Sequence, residues 1–446
     1  MSETSPSSTI RSLQHSQLFR VSAIAFLILL LQIPISMIRT TIREREGNRD
    51  QAARAIAESW GDEQRVVGPR LVVPYVTTQE VTHGDGRVRT ESTIHYIHVL
   101  ADTLGVTGTL VSEARYRGIF QVPVFRTHLH FQGVFRRPDV AALDIDPGSI
   151  MWDRAVLAMG ISDADAIPRQ VSVQWNGHTV DFLPGMGWPG SGEGIHAPLG
   201  RAARTDEVAF DLSVSVNGTG GVFVVPFGSE TRVTLEGDWP DPSFEGTWLP
   251  EEREVTAEGF TALWNVPFLG RNYPQQWSSA QGVPDATISA SAFGVRLLAP
   301  VDHYRMSHRS VKYQFLFLVL TFVSIWLFEV LAGLRVHPVQ YLLVGAAMCI
   351  FYLLELSLAE HLGFTAAYLL ATMAIVGLVV GYMRSVLGSP RRGAIMGGIV
   401  TLLYSYLFVL LQAQDYALLA GSLGLFAALA ATMYLTRKVD WYALSE

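Results

Sequence analysis

A single cysteine, Cys349, in a chain of 446 residues excludes an intramolecular disulfide and a cysteine zinc cage, so any soluble part must be held by its own core. Grouped cations are scarce as well. With 33 Lys and Arg against 40 Asp and Glu, the formal net charge of −7 argues against a nucleic-acid partner, because counterion-release binding needs clustered Lys and Arg. No Gly-x-Ser-x-Gly elbow occurs, and the nearest spelling, Pro189-Gly190-Ser191-Gly192, has the wrong spacing for a serine nucleophile. No internal repeat is present at a fixed period. The chain is therefore expected not to be an enzyme and to have no catalytic, cofactor-binding or metal-ligating residues.

Long apolar runs, by contrast, are abundant. The apolar fraction is 49% and the mean hydropathy is +0.26, too high for an ordinary soluble protein. Five runs crowd the last third, at 313–334, 339–358, 364–383, 394–411 and 417–434, and a sixth stands alone at 21–38. Each is long enough to cross about 30 Å of hydrocarbon as a helix. The run at 21–38 could be a cleaved signal peptide, but no small-x-small site follows it closely, so an uncleaved anchor fits better. Short loops carry the orientation signal. Arg335, the group Arg384, Arg391 and Arg392, and the pair Arg437 and Lys438 fall on one side, whereas the alternate loops hold Glu360 and Asp415. This places both termini in the cytoplasm and residues 39–312 in the periplasm. Arg39, Arg43, Arg45 and Arg49 conflict with it, and their interleaving with Glu44, Glu46 and Asp50 relieves the conflict only in part.

The expected organisation is a membrane α-helical bundle of six spans plus a periplasmic all-β, sandwich-like domain inserted between span 1 and span 2. Residues 1–20 are a disordered cytoplasmic tail, rich in Ser and Thr at its start, 21–38 is span 1, 313–436 is the five-helix bundle, and 437–446 is a cytoplasmic tail. Residues 40–60 read as a helix stopped by Gly61. After Gly68 the period changes to two. Leu71-Val72-Val73-Pro74-Tyr75-Val76, 93–100 and 122–131 read as strands, as do 231–235 and 286–298. Asn176-Gly177 marks a tight hairpin between two short strands. A second hairpin is expected between 208–216 and 222–225, with Asn217-Gly218-Thr219 as its turn rather than as a glycosylation site.

Few residues suggest chemistry. His128 and His130 share a strand face, and His95 and His98 could neighbour them as metal ligands; the alternative is a polar strand face. Gly185-Met186-Gly187-Trp188-Pro189-Gly190 spells a dinucleotide fingerprint, but Pro189, Gly192 and Gly194 oppose the helix such a site needs. The stretch 183–199 is better read as a long surface loop whose Trp188 and His196 contact a partner. Glu329 and Glu355 are acids inside spans, where an ionisable residue is costly. Depth arithmetic keeps them apart: Glu329 sits near the cytoplasmic end with a structural, capping or locally pairing role, and Glu355 near the outer end within reach of water. Gly377-x-x-x-Gly381 and Gly393-x-x-x-Gly397 offer close-packing helix faces.

Glu329 followed by Leu334-Arg335-Val336-His337-Pro338-Val339-Gln340-Tyr341, then Glu360-His361-Leu362-Gly363-Phe364-Thr365 and a terminal Asp440-Trp441-Tyr442, resembles the CreD family of bacterial inner-membrane proteins. Val66-Val67-Gly68-Pro69, Gly194-Ile195-His196-Ala197-Pro198-Leu199 and Trp239-Pro240-Asp241-Pro242 extend the resemblance through the soluble domain. Glu355 departs from the family pattern, which is apolar there. The resemblance implies a Gram-negative inner-membrane protein with one periplasmic domain, linked to envelope integrity, colicin tolerance and a two-component regulon of β-lactam response. It brings no catalytic mechanism, ligand or site residues. The expected function is support of envelope integrity or stress response by binding. The partners are the lipid bilayer and an unknown periplasmic or envelope component. The alternative is a small-solute or ion transporter built on the five-helix bundle.

Overall fold

The computed structural model describes residues 17–82, 88–297, 303–332, 334, 336–413 and 416–437. The N-terminal tail, Arg335, Asp415, and the C-terminal tail from Lys438 with its Asp440-Trp441-Tyr442 motif lie outside the described residues. The chain divides into two compact units, Met1–Arg49 with Val301–Glu446, and Asp50–Pro300.

The first unit is helical. Its six long helices are α1 (Gln17–Trp60, which runs on into the second unit), α2 (His303–Ala332), α3 (Pro338–Leu362), α4 (Phe364–Val386), α5 (Pro390–Gln412) and α6 (Ala417–Thr436). All six are long and apolar enough to cross a membrane. α1 continues through the strong helix formers of Arg43-Glu44-Arg45-Glu46 and keeps Pro34 within it, and Gly61, at φ 124°, stops it.

Helix contacts follow small residues in one place and not in another. A β-carbon at Gly393 or Gly397 of α5 would meet Arg384 or Val380 of α4, so this pair is packed at backbone distance. The other expected packing face, Gly377-x-x-x-Gly381, is not one: both glycines have nothing within 4 Å among the described residues. α6 is apolar on every side and has no buried residue, and it is held to α5 through the Tyr406 hydroxyl, which donates to the Ala420 carbonyl.

The second unit is built on sixteen strands among the described residues. In order they are β1 (Gln64–Thr82), β2 (Val88–Arg117), β3 (Phe120–Arg136), β4 (Val156–Ile161), β5 (Ser172–Trp175), β6 (His178–Asp181), β7 (Leu183–Pro184) and β8 (Gly194–Pro198). The remainder are β9 (Glu207–Thr219), β10 (Gly221–Val224), β11 (Gly228–Gly237), β12 (Pro242–Gly246), β13 (Glu252–Val255), β14 (Phe260–Pro267), β15 (Gln276–Ser278) and β16 (Phe293–Leu297). The central path runs β12-β16-β10-β1-β2-β3-β9-β5-β6. Only β1–β10 and β2–β11 pair in parallel among the described strands.

A sandwich with two separate sheets does not form, because the 30-residue β2 belongs to both leaves. Its first part pairs with β1 and β15, and its second part with β3 and β11. Period-two alternation sorts the faces: in β9, Val208, Phe210, Leu212 and Val214 are buried while Glu207, Ala209, Asp211 and Ser213 are exposed. The inward residues join a core around Phe125, Phe131, Phe135, Trp175, Trp264 and Phe293.

Asn176-Gly177 turns β5 into β6, with Trp175 opposite His178 and both turn residues at positive φ. The second expected hairpin does not exist. β9 pairs with β3 and β5, and β10, buried along its whole length, pairs with β1 and β16. Asn217, Gly218 and Thr219 stay in β9 opposite Arg126, Phe125 and Val124. Non-local pairing has overridden adjacency in sequence. The strand expected at 286–298 is a five-residue helix, Asp285–Ser289, followed by β16, because Pro284 and Asp285 supply a helix start.

Candidate functional site

Glu329 lies at the end of α2 and is 4% exposed. Arg20 on α1 reaches its Oε1 at 2.8 Å, the Val336 N–H donates to the same oxygen at 3.2 Å, and the Tyr341 hydroxyl donates to Oε2 at 3.1 Å. The turn that follows is set by His337, whose Nδ1 accepts from the Val339 N–H while the Gln340 Oε1 accepts from the His337 N–H. This reciprocal cap, with Pro338 in the first turn, starts α3. Sequence reading places Glu329 near a helix end but does not foresee Arg20 as its partner. A carboxylate, a guanidinium and two further donors form a closed local network suited to pinning three helices together.

A second polar group occupies the opposite end of α2. The Tyr304 hydroxyl donates to Glu360 Oε1 at 2.9 Å, Arg45 lies 3.8 Å from the same carboxylate, and His308 lies 3.2 Å from Glu46. Between the two ends lies Glu355, and its expected reach to water is wrong: it is 0% exposed. It sits five residues, about 7–8 Å, inward of Glu360 along α3, where α2 closes over it. Ser307 donates to its Oε1 at 2.7 Å, and its Oε2 has no partner among the described residues. The Tyr352 and Tyr404 hydroxyls also have no hydrogen-bond partner among the described residues, and Phe351 gathers the rings of Tyr352, Tyr368 and Tyr404 at 4.5–5.3 Å.

On the β unit, the stretch 183–199 is not one long loop. Its ends are β7 and β8, which pair with each other, and β8 pairs onward with β4. His196 is therefore a strand residue, its Nδ1 tied to the Gly185 carbonyl at 2.7 Å. The true loop is 185–193. Its Trp188 does not point outward but packs down on the face where Arg70, Val72, Ala158 and His98 come together. The Arg70 guanidinium lies 4.8 Å from the Trp188 ring, and His98 meets that ring edge-on at 5.4 Å while stacking on Trp277 at 5.1 Å.

Burial, then the charge of Arg70, pushes the His98 imidazole from its ordinary 6.5 down to about 3. Burial also lowers the Arg70 guanidinium to about 10, against the charge of Asp285, which leaves it cationic at neutral pH. Sequence reading misses Arg70. The available signal was an arginine between Gly68-Pro69 and Leu71-Val72-Val73, on the face of a buried strand opposite to the core-facing Leu71 and Val73.

The four histidines do not converge. His95 and His98 are three residues apart on β2 and so face opposite sides of the sheet, and His95 stacks on Tyr75 at 5.6 Å. His128 and His130 share a face, held by Ser215 at 3.0 Å and Asp211 at 2.9 Å. They pair with Thr109 and Thr107, so about 30 Å of strand separates the nearer of them from His98. Among the described residues no group of three or more His, Cys, Asp or Glu could hold a metal ion. Beside the 185–193 loop, a groove of about 590 Å³ is lined by Ile167, Phe182, Leu183 and Ile195, with Arg169 and Glu193 among its charged residues.

The family model described as inner membrane protein CreD matches residues 16–442 of this chain. The chain belongs to the CreD family. Inner membrane protein CreD of Escherichia coli (strain K12) is 34% identical over 423 residues, covering 94% of this chain and 92% of its own length. Six membrane-length helices and a β-rich unit are thus the makings of a CreD-family inner-membrane protein.

Two outcomes follow for this CreD-family chain. Arg20→Ala strands the Glu329 carboxylate and is expected to lower stability in detergent by about 3–5 kcal/mol, with most of it recovered in Arg20→Ala/Glu329→Gln. Thermal unfolding checks this, and a double variant no more stable than the single one defeats it. The neutral His98 contributes stability that is complete above pH 6.5 and is lost as pH falls toward 3, at about 1.4 kcal/mol per unit. Between pH 6.5 and 5, wild type should lose about 2 kcal/mol relative to His98→Gln in denaturant titrations; parallel pH profiles would refute the assignment.

Proposed function

We propose that this inner-membrane protein supports envelope integrity without catalysis, by binding a periplasmic or envelope partner through its β unit. In this reading both termini are cytoplasmic and the β unit is periplasmic. The positive residues Arg384, Arg391, Arg392 and Arg437 on alternate loops support that orientation. The arginines after span 1 that resist it are met by local acids: Arg45 lies beside Glu360, and Arg49 beside Glu46.

The observation that carries the binding reading is the groove beside the 185–193 loop. Its apolar floor of Phe182, Leu183 and Ile195 between Arg169 and Glu193 suits a partner that presents an apolar segment flanked by charges. Leu183 is 48% exposed and so is available to such a segment. A photo-crosslinker at Glu193 should capture a defined envelope component in intact cells, one at Glu252 of β13 should not, and Leu183→Glu should abolish the adduct. Capture that is equal from both positions, or unchanged by Leu183→Glu, removes the groove from the account.

A transport role is the second reading, favoured by Glu355 alone. An acid 0% exposed, with no ion-pair partner among the described residues and near the Tyr352 and Tyr404 hydroxyls that have no hydrogen-bond partner there, is the kind of group that marks ion and proton routes in membranes. Proteoliposomes of the full chain should then show a proton or monovalent-cation flux that Glu355→Gln reduces at least tenfold. Wild-type vesicles no leakier than empty ones rule this reading out.

A further inference from the structure

The β unit buries two arginines to the same depth, each 7% exposed, and treats them differently. Arg271 donates from Nη2 to the Gln275 Oε1 at 2.6 Å, although its Nε and Nη1 have no hydrogen-bond partner among the described residues. Arg70 has no such oxygen: its Nε has no hydrogen-bond partner among the described residues, and the acid whose charge reaches it, Asp285, is exposed and forms no ion pair with it there. Arginine is almost never fully buried unless paired, and an orphaned buried donor calls for an explanation. What faces the guanidinium instead is the Trp188 ring, and a cation over an aromatic face is a weaker partner than an oxyanion held by two parallel N–H bonds.

A second orphan lies under the same ring. The His98 Nδ1 is buried without a partner, between Trp188 on one side and Trp277 on the other. Trp188 itself is half-buried and belongs to no strand. It is flanked by Gly187 at φ 88° and Gly190 at φ 76°, backbone states that a side chain disfavours and that let a short loop take a different course. A fixed cation and a fixed imidazole thus sit on rigid strands, covered by one aromatic residue on a glycine-flanked loop.

We propose that Arg70 is the anion-receiving group of a binding site on the β unit, covered by Trp188, that takes a carboxylate or a phosphate. The proposal rests on reading the 185–193 loop as a binding element. Arg70 supplies the planar fork that both oxyanions fit, His98 offers a neutral ring nitrogen for a further hydrogen bond, and Trp188 moves aside to admit the ligand. The groove described above lies along the flank of this loop, so a partner seated there could place its anionic group under Trp188.

The test uses the full chain in phosphatidylcholine nanodiscs, with inorganic phosphate and acetate as probes and chloride at matched ionic strength as the control. Calorimetry supplies Kd, and 5-fluorotryptophan resonances, with that of Trp188 assigned through Trp188→Phe, report the cover. Phosphate or acetate should bind saturably and shift the Trp188 resonance while chloride does neither; whichever probe binds more tightly identifies the oxyanion. Arg70→Gln should abolish binding. Arg70→Lys, which keeps the charge but loses the fork, should weaken it at least tenfold, and Trp188→Ala should tighten it several-fold by removing the cover. The proposal is overturned if Arg70→Gln binds as wild type does, or if Trp188→Ala binds neither probe. Should Arg70→Gln not fold, the Arg70→Lys and Trp188→Ala results decide. Crosslinking from Glu193 is independent of Arg70, so its success alongside failed anion binding refutes this site alone.

Discussion

The β unit depends on one strand. β2 has a strand neighbour along nearly all of its 30 residues, β1 and β15 in its first part and β3 and β11 in its second, with both edges occupied through its middle. Buried backbone groups must be paired, and β2 satisfies them with the strands adjacent to it in sequence, β1 and β3, on one edge of each part, and with strands from distant parts of the chain, β15 and β11, on the other. Those partners come from residues 64–82, 120–136, 228–237 and 276–278, which is why so many contacts cross the whole unit. The same pairing sets His98 between Val72 of β1 and Trp277 of β15, and Arg70 opposite Leu100. The site under Trp188 is a by-product of where β2 finds its neighbours.

Charge is treated consistently in both units, and the exceptions stand out for that reason. Glu329 receives a guanidinium and two further donors, and Glu360 receives a hydroxyl with an arginine nearby. Arg296, near the end of β16, lies between Glu63 and Glu245 at 2.7 and 2.9 Å, and the hydrogen bond it donates to Glu245 raises its affinity for the proton against the lowering effect of partial burial. Among the described residues Arg271 has only the Gln275 amide oxygen, and Glu355 and Arg70 have no charged partner of this kind. Their placement points to two separate roles: an enclosed acid in the helical unit and a covered cation in the β unit. Since buried charge is destabilising unless compensated, these are the positions at which structure alone gives the least reason for the residue present.

Much of the architecture could be read from pattern. The helices that cross the membrane are announced by uninterrupted apolar runs, because lipid tolerates no unpaired backbone and leaves only helix or closed barrel. Strands such as β9 are announced by strict alternation, and the β5–β6 hairpin by Asn176-Gly177, whose positive φ angles few other pairs adopt. Reading failed wherever a neighbour in space displaced a neighbour in sequence. β9 and β10 read as a hairpin because they are adjacent, yet β10 is drawn between β1 and β16. Trp188 reads as a surface anchor because glycine and proline surround it, yet its ring finds an arginine from β1 and a histidine from β2. Glu355 reads as an acid near a helix end, and its burial comes from the packing of α2 across it.

Sequence by itself determined the family, the six membrane-length helices and the β character of the region between the first and second of them. Each of these rests on interactions within a few residues or on composition, which a linear chain displays directly. Tertiary structure decided the pairing of β2, the partner of Glu329, the enclosure of Glu355 and the covering of Arg70 by Trp188. The last three, and the pairing of β2 with β11 and β15, depend on which groups meet across long stretches of chain or across a helix interface. The free energy of burying or pairing a charge is set by that meeting, and no local pattern records it.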